Sequence, residues 1–324
     1  MPPCSFNGMA KVHCDLQRLV AAGALVVAAV GCSLTQTAGE GAPAGDELVR
    51  PAAFPAAMAP LPDGGLIYGE RLTGRLRVVT PQGRLDPKWL ARVDVSSEGQ
   101  RGLLGVAVAP DGRIFAAWTR RDGVLVVGEV WPKRRLTWLG PPSSERANGG
   151  HIVMAPNGAL VLGVGDLGQR ELVDDPDTPN GKILRLDPDG PPDQTPEVVS
   201  SGWNNPFAFT FTSGDELWVA DNAPGSEFER LARGDVGGRP SAVLELAHEI
   251  APSGIAHVGD GMVAVCGFLS RRLELYDVSS PAGGTVRGEP LADGCALGVT
   301  RLTDGRLAFA DEDTIWVVDP KDVR

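Results

Sequence analysis

The feature that most constrains this chain is a short turn-plus-strand unit that occurs six times. In its clearest copy the turn Pro156-Asn157-Gly158 joins two apolar runs, residues 152–154 and 159–164. Asn-Gly between apolar runs is a strong hairpin signal, and in a two-residue hairpin turn both residues take φ > 0. Each unit therefore predicts one antiparallel hairpin.

The six copies are spread evenly along the chain. Each turn contains a glycine followed by a short apolar run, and successive turn glycines are separated by about 44–56 residues. These turn glycines are Gly64, Gly112, Gly158, Gly214, Gly261 and Gly305. Such a period is typical of a four-stranded propeller blade. The sequence therefore predicts an all-β fold, a six-bladed β-propeller of four-stranded blades.

Composition agrees with this fold class and excludes one kind of partner. The 324 residues include 42 Gly and 27 Pro, as expected of a chain with many turns, and the net charge of −11 argues against nucleic-acid binding.

Propellers bind ligands at one face, around the central channel. The loops that lead into the innermost strands should line that face; they are predicted at residues 99–102, 146–150, 201–206, 251–254 and 293–298.

The N-terminus is predicted to be a targeting segment. Lys11 and Arg18 precede an apolar run, residues 19–30, that is too short to span a membrane as a mature helix. Small residues then precede Cys32, which resembles a bacterial lipoprotein cleavage site; ordinary secretion is the alternative. We expect a signal peptide at 1–31, lipidation at Cys32, a flexible tether at 32–49 and the propeller at 50–324. The protein is then anchored in the bacterial cell envelope, as a periplasmic or outer-membrane lipoprotein.

Two further cysteines, Cys266 and Cys295, remain after such processing and fall in adjacent repeat units. A disulfide between them is possible in an oxidising compartment. We interpret them instead as two small buried apolar side chains, with the disulfide as the alternative.

Several short segments follow one another in an order and spacing that are together fairly specific. They are Gly69-Glu70-Arg71, Gly102-Leu103-Leu104-Gly105, Asn148-Gly149-Gly150, Val164-Gly165-Asp166, Gly181-Lys182-Ile183-Leu184, Asn205-Pro206 and Ala251-Pro252-Ser253-Gly254. With them the chain resembles the soluble quinoprotein glucose/sorbosone dehydrogenase family. The resemblance implies a six-bladed propeller that binds pyrroloquinoline quinone (PQQ), usually with calcium, and oxidises sugars at an aldehyde or hemiacetal carbon.

The chain departs from the family pattern where chemistry is expected. The family's general base is the His of His-Asn-Gly-Gly, and here Ala147 precedes Asn148. Asn204 and Ser270 stand at positions where the family offers an Arg and a Lys to the cofactor's carboxylates. Alanine cannot accept a proton from a sugar hydroxyl. Losing three charge-assisted hydrogen bonds would weaken cofactor binding by on the order of 5 kcal/mol.

Several residues are candidates for the base, the cofactor contacts and the calcium ligands of such a site. His151 is a candidate displaced base, although a structural histidine is the stronger interpretation. The candidate cofactor-binding residues are Arg101, Asn148, Asn204, Asn205 and Arg271. Asp221 and Glu227 are oxygen donors suited to calcium, in a loop where acidic residues are more often only solvated.

Three functions follow from these residues. The first is a non-catalytic binding or scaffold propeller, monomeric, with a sugar or other small molecule at the channel mouth and membrane contact only through the lipid. The second is an active PQQ-dependent oxidoreductase acting on aldoses, with a site rearranged around His151 and Arg271. The third is a calcium-dependent, lactonase-like hydrolase that uses Asn148, Asn205 and Asp221. Fold alone does not decide among them.

Overall fold

A computed structural model describes residues 45–213, 215–223, 228–234, 238–246, 250–279, 285–286 and 288–322. Its strands form six antiparallel sheets, which are the blades of a six-bladed β-propeller. Five blades have four strands, and one carries an additional short strand. The predicted fold class is confirmed.

The strands follow one another in chain order around the ring. The first is β1 (Asp46–Val49). Blade 1 has β2 (Pro55–Pro60), β3 (Leu66–Glu70), β4 (Arg75–Val79) and β5 (Ala91–Arg92). Blade 2 has β6 (Leu103–Val108), β7 (Ile114–Thr119), β8 (Val124–Trp131) and β9 (Arg135–Pro142). Blade 3 has β10 (Gly149–Met154), β11 (Leu160–Val164), β12 (Lys182–Leu186) and β13 (Glu197–Ser201).

The second half of the ring repeats this arrangement. Blade 4 has β14 (Ala208–Phe211), β15 (Leu217–Asp221), β16 (Arg230–Gly234) and β17 (Pro240–Glu245). Blade 5 has β18 (Pro252–Gly259), β19 (Met262–Gly267), β20 (Arg272–Asp277) and β21 (Thr285–Val286), with β22 (Ala292–Asp293) also paired to β20. Blade 6 has β23 (Gly298–Arg301), β24 (Leu307–Ala310) and β25 (Ile315–Val318), followed by β1.

Blade 6 is completed by the N-terminal strand. Asp46 of β1 pairs with Val317 of β25, and Val49 is buried in the apolar cluster between blades 6 and 1. Without β1, the edge of β25 would be exposed. Asp46–Val49 therefore belong to the propeller, although we expected the flexible tether to extend to residue 49. The remainder of that tether, the signal peptide and Cys32 lie outside the described residues.

The predicted hairpin turns are present, but most have a different local geometry. The Ala155 N–H donates to Ala159 O (2.8 Å), and the Gly158 N–H donates to Ala155 O (2.9 Å). Only Gly158 has a positive φ (82°), so the prediction of positive φ at Asn157 is wrong. The loop has three residues, and only its last must be left-handed. Blade 5 alone matches the two-residue prediction among the described turns, with Asp260 at φ 49° and Gly261 at 72°.

The core consists of apolar layers between adjacent blades. Six clusters of buried side chains each combine residues from two neighbouring blades. In the layer between blades 3 and 4, for example, Ile183 packs with Trp203 and Phe209. Burial of about 25 cal/mol per Å² of apolar surface makes these layers the main stabilising contribution.

Cys266 and Cys295 form a disulfide, with their Cα atoms 5.3 Å apart. Our interpretation of two separate apolar side chains is wrong. The strand β22 was not expected, and its pairing with β20 brings the segment before β23 alongside Cys266 at the end of β19. The disulfide therefore links β19 of blade 5 to the segment that leads into blade 6.

Helical structure is minimal in the part of the chain that the structure describes. It has two 3-10 turns, Arg170–Leu172 and Pro320–Asp322. Within those same residues, no helix is long and apolar enough to cross a membrane.

Candidate functional site

The first strand of each blade lines the central channel; these inner strands are β2, β6, β10, β14, β18 and β23. They begin at one end of the channel, called here the upper end, and finish at the lower end. The upper end holds a cavity of about 780 Å³, the upper cavity, and the lower end holds one of about 330 Å³, the lower cavity. The loops predicted to line the site supply residues to the upper cavity.

The wall of the upper cavity is largely apolar. Its apolar side chains include Phe54, Leu104, Phe207, Phe268, Leu269 and Leu297. Phe268 and Leu269 form an open rim, 43% and 58% exposed. The charged residues on the wall, within the described part of the chain, are Arg71, Arg146 and Glu229. The cavity therefore combines an apolar interior with few charges.

Three amide side chains on the wall are held by backbone groups. Asn148 accepts the Ser144 N–H (2.8 Å) and donates to Ser144 O (2.9 Å). Asn205 accepts the Gly149 N–H (2.9 Å), and Gln100 accepts the Ala147 N–H (2.7 Å). The structure thus brings Asn148 and Asn205 together, where they fix the loops around the cavity.

The backbone conformation of the Asn148-Gly149-Gly150 segment requires its glycines. Ala147, Gly149 and Gly150 have φ of 51°, 65° and 96°. A Cβ at Gly149 would clash with Gly163 O of the adjacent strand. Glycine adopts this conformation without the cost that a side chain would add. The segment therefore has a structural role that does not depend on a histidine at position 147.

Asp221 anchors the loop before β14. It is buried, and its carboxylate accepts the Asn205 N–H (2.8 Å), the Asn204 N–H (3.1 Å) and Arg230 Nη2 (2.9 Å). Burial raises the pKa of Asp221, opposed by the positive charge of Arg230. Its oxygens face N–H donors, so the geometry does not favour a calcium ion there.

The other predicted residues of this loop do not complete a metal site. Asn204 is nearly buried, does not line the cavity and donates through Nδ2 to Asn222 O. Glu227 lies outside the described residues. Across the described ranges, no three His, Cys, Asp or Glu residues are grouped so that they could hold a metal ion. These residues do not fit calcium.

His151 lines the lower cavity, not the upper one. Its Nε2 lies 3.2 Å from Phe209 O, and its ring packs edge-on against Phe209 at 4.8 Å. Burial lowers the pKa of His151 to about 4. The histidine therefore packs against blade 4 and is not brought to the Ala147 loop.

The two arginines predicted as replacement cations do not line the upper cavity. Arg101 donates through Nε to Ser143 Oγ (2.8 Å) and through Nη2 to Ser143 O (3.4 Å). Arg271 forms a bidentate ion pair with Glu312, both contacts at 2.9 Å. Each guanidinium is thus already engaged elsewhere.

Arg71 and Arg146 are the cations on the described wall of the cavity. Arg146 lies in the loop 146–150 that was predicted to line this face, whereas Arg71 was not predicted. Arg71 lies in the turn between β3 and β4, which returns to the upper end because β3 runs antiparallel to β2. It belongs to the Gly69-Glu70-Arg71 segment, so a signal existed. Arg146 directly precedes Ala147. Arg71 follows the second strand of its blade, whereas the predicted loops precede the first strands.

The residues of the upper cavity do not fit the family cofactor. PQQ has three carboxylates, whereas the described wall offers two guanidinium groups and the opposing carboxylate of Glu229. None of the described lining residues is a histidine. Like charges facing the cofactor's carboxylates would be destabilising.

The comparisons with known proteins agree on one family. Residues 52–246 match the family model for glucose/sorbosone dehydrogenase. The chain is 25% identical over 218 residues to quinoprotein glucose dehydrogenase B of Acinetobacter calcoaceticus, a match that covers 52% of this chain and 46% of that protein. It therefore spans about half the length of this relative.

Solved structures share the fold. One is a putative oxidoreductase (glucose dehydrogenase) from Thermus thermophilus, with 25% identity and a TM-score of 0.72 over 84% of this chain and 99% of that one. Another is the PQQ-bound aldose sugar dehydrogenase of Streptomyces coelicolor, with 23% identity and a TM-score of 0.72 over 84% of this chain and 95% of that one.

Proposed function

Because the chain belongs to the glucose/sorbosone dehydrogenase family, we propose that it is a member whose upper cavity binds a small molecule without oxidising it. The observation that carries this proposal is Ala147 at the base position, with His151 in the lower cavity. Oxidation of a sugar hydroxyl requires a base within hydrogen-bond reach. The protein then acts as a binding or scaffold propeller.

The burial and hydrogen bonding of Glu229 support this proposal. It is the carboxylate on the described wall of the upper cavity, and it is 7% exposed. Its Oε2 accepts the Ala251 N–H at 2.7 Å, which fixes the carboxylate to the start of blade 5. This contact gives Glu229 a structural role in the wall.

Size and composition of the cavity support a ligand-binding role. A volume of about 780 Å³ lies in the range of small-molecule sites, roughly 300–1,000 Å³. Such sites are mostly apolar with a few fixed polar groups, as this wall is. By family resemblance PQQ is the cofactor to test first, although the cations for it are too few.

The test is a paired measurement of binding and turnover. The purified protein is titrated calorimetrically with PQQ, with and without calcium, and assayed for dye reduction with a panel of aldoses. The Acinetobacter relative serves as the positive control. We expect PQQ affinity weaker than micromolar and no dye reduction above background.

Saturable dye reduction would overturn the proposal in favour of an active oxidoreductase. Its loss in Glu229→Gln would then identify the base, whereas its loss in His151→Gln would favour the rearranged site. Calcium-dependent lactone hydrolysis in the same preparation would favour the lactonase-like alternative.

We also propose that the mature protein is a monomeric lipoprotein of the bacterial cell envelope, anchored through Cys32. The disulfide between Cys266 and Cys295 supports an oxidising compartment. Expression of the full chain with Cys32→Ser should move the protein from the membrane to the soluble fraction. Retention of the variant in the membrane fraction would contradict lipid anchoring at Cys32.

A further inference from the structure

We infer that the upper cavity selects an amphipathic monocarboxylate, an aromatic or aliphatic acid whose carboxylate pairs with Arg71. This inference rests on the proposed binding function and names its ligand class. It follows from one oriented positive charge on an otherwise largely apolar wall.

Arg71 is held in a fixed orientation. Its Nε donates to Arg101 O at 2.9 Å, its Nη2 donates to Gly99 O, and its guanidinium lies 5.0 Å from the centre of the Phe54 ring. These contacts use backbone carbonyls and an aromatic face. The guanidinium is therefore positioned before any ligand arrives, which reduces the entropy lost on binding.

The charge of Arg71 is not compensated by a carboxylate within the described part of the chain. Two other arginines near the upper end have one: Arg230 contacts Asp221 at 2.9 Å, and Arg271 contacts Glu312 at 2.9 Å. No ion pair of Arg71 is found among the described residues, and burial lowers its pKa. A partly buried charge without a counterion is a suitable site for an anion.

The number of charges limits the ligand. Arg146 also lines the cavity, but it is exposed to solvent, which screens its charge. Glu229 adds a negative charge to the same wall. One partly buried guanidinium therefore suits one carboxylate, while Phe54, Phe207 and Leu104 suit an apolar body.

The same wall disfavours a free sugar. A sugar needs several donors and acceptors for its hydroxyls. The side-chain oxygens of Asn148, Asn205 and Gln100 already accept backbone N–H groups of the cavity loops, so fewer acceptors remain for the hydroxyls of a sugar. An acid with an apolar body makes better use of the available surface.

The probe is 3-phenylpropionate, compared by calorimetry with its neutral isostere 3-phenylpropanamide and with glucose. We expect the acid to bind at least about tenfold more tightly than the amide, because a charge-assisted pair replaces a neutral hydrogen bond. Affinity for the acid should fall as salt rises. Equal affinity for acid and amide, or tighter binding of glucose, would overturn the inference.

Variants assign the effect to Arg71. Arg71→Gln should weaken binding of the acid by about tenfold and leave the amide unchanged, with folding checked by circular dichroism. Arg271→Gln is the matched control, since Arg271 is an arginine outside the cavity, and it should bind the acid normally. If Arg71→Gln does not fold, Arg71→Lys keeps the charge and should still prefer acid over amide.

Failure of the proposed function and failure of this inference give different experimental results. Dye reduction with PQQ would overturn the proposed function while leaving the acid preference measurable. Failure of 3-phenylpropionate to bind at millimolar concentration would overturn this inference alone. Acid binding that is unaffected by Arg71→Gln would also overturn it.

Discussion

The two ends of the channel are built differently. The upper end is formed by loops. Hydrogen bonds of Asp221 and Arg71 connect these loops, and so does the disulfide between Cys266 and Cys295. The lower end is formed by the strands themselves, with His151 packed against Phe209. Strand ladders satisfy their own backbone groups, whereas loops need side chains to do so.

This difference explains how the site can change while the fold persists. The upper loops keep their shape through Asn148, Asn205 and Asp221, which bond backbone groups. Ala147 makes its hydrogen bonds to Gln100 and Leu167 through its backbone, so these bonds do not depend on the identity of its side chain. Function at such an end depends on a few side chains carried by a rigid scaffold.

The largest effect is expected from Asp221→Ala. It removes the acceptor of two backbone N–H groups and the partner of Arg230, so the free energy of unfolding should fall by about 3–5 kcal/mol. Denaturant unfolding provides the measurement. The control is Asp304→Ala at the lower end, where an exposed carboxylate accepts the Arg306 N–H at 3.0 Å. Similar losses in both variants would contradict the contrast between the ends.

Removing the disulfide should have the next largest effect. Cys266→Ser combined with Cys295→Ser should lower the free energy of unfolding by about 2–4 kcal/mol. The adjacent residues Phe268, Leu269 and Leu297 line the upper cavity, so affinity for 3-phenylpropionate should fall as well. Reduced wild-type protein should match the variant. A stability that does not respond to reductant would argue against the bond.

The lower end should respond to acid through His151. Its folded pKa of about 4 lies below its ordinary value of 6.5, so the unfolded chain binds the proton more readily. The contribution of neutral His151 to the free energy of unfolding is fully present above about pH 6.5 and is lost as pH falls towards 4. Between pH 7 and pH 4 the wild type should lose about 2–3 kcal/mol more than His151→Gln, measured by urea unfolding. Parallel losses would show that His151 titrates normally.

The smallest effect is expected from Arg271→Gln. Its ion pair with Glu312 is exposed, with side chains 48% and 40% accessible to solvent. Exposed pairs contribute less than about 1 kcal/mol. The melting temperature and the affinity for 3-phenylpropionate should both be nearly unchanged. A large loss of affinity would place Arg271 in the cavity after all.

Much of the fold was predictable, because turn chemistry is local. The spacing of Gly64, Gly112 and Gly158 indicated the blades, and these glycines do take positive φ. The site was predictable only in outline. The loops were located correctly, but Arg71 was missed, since it enters from the turn after the second strand of its blade.

The sequence by itself determined the repeat and the blade count, because both follow from the spacing of the turn residues along the chain. The tertiary structure decided which side chains meet. The Asn205–Gly149 contact spans 56 residues, and the Arg71–Arg101 contact spans 30. Six blades converge on one axis, so a side chain reaches the cavity or misses it according to strand direction and register. Those properties arise only when the ring has closed.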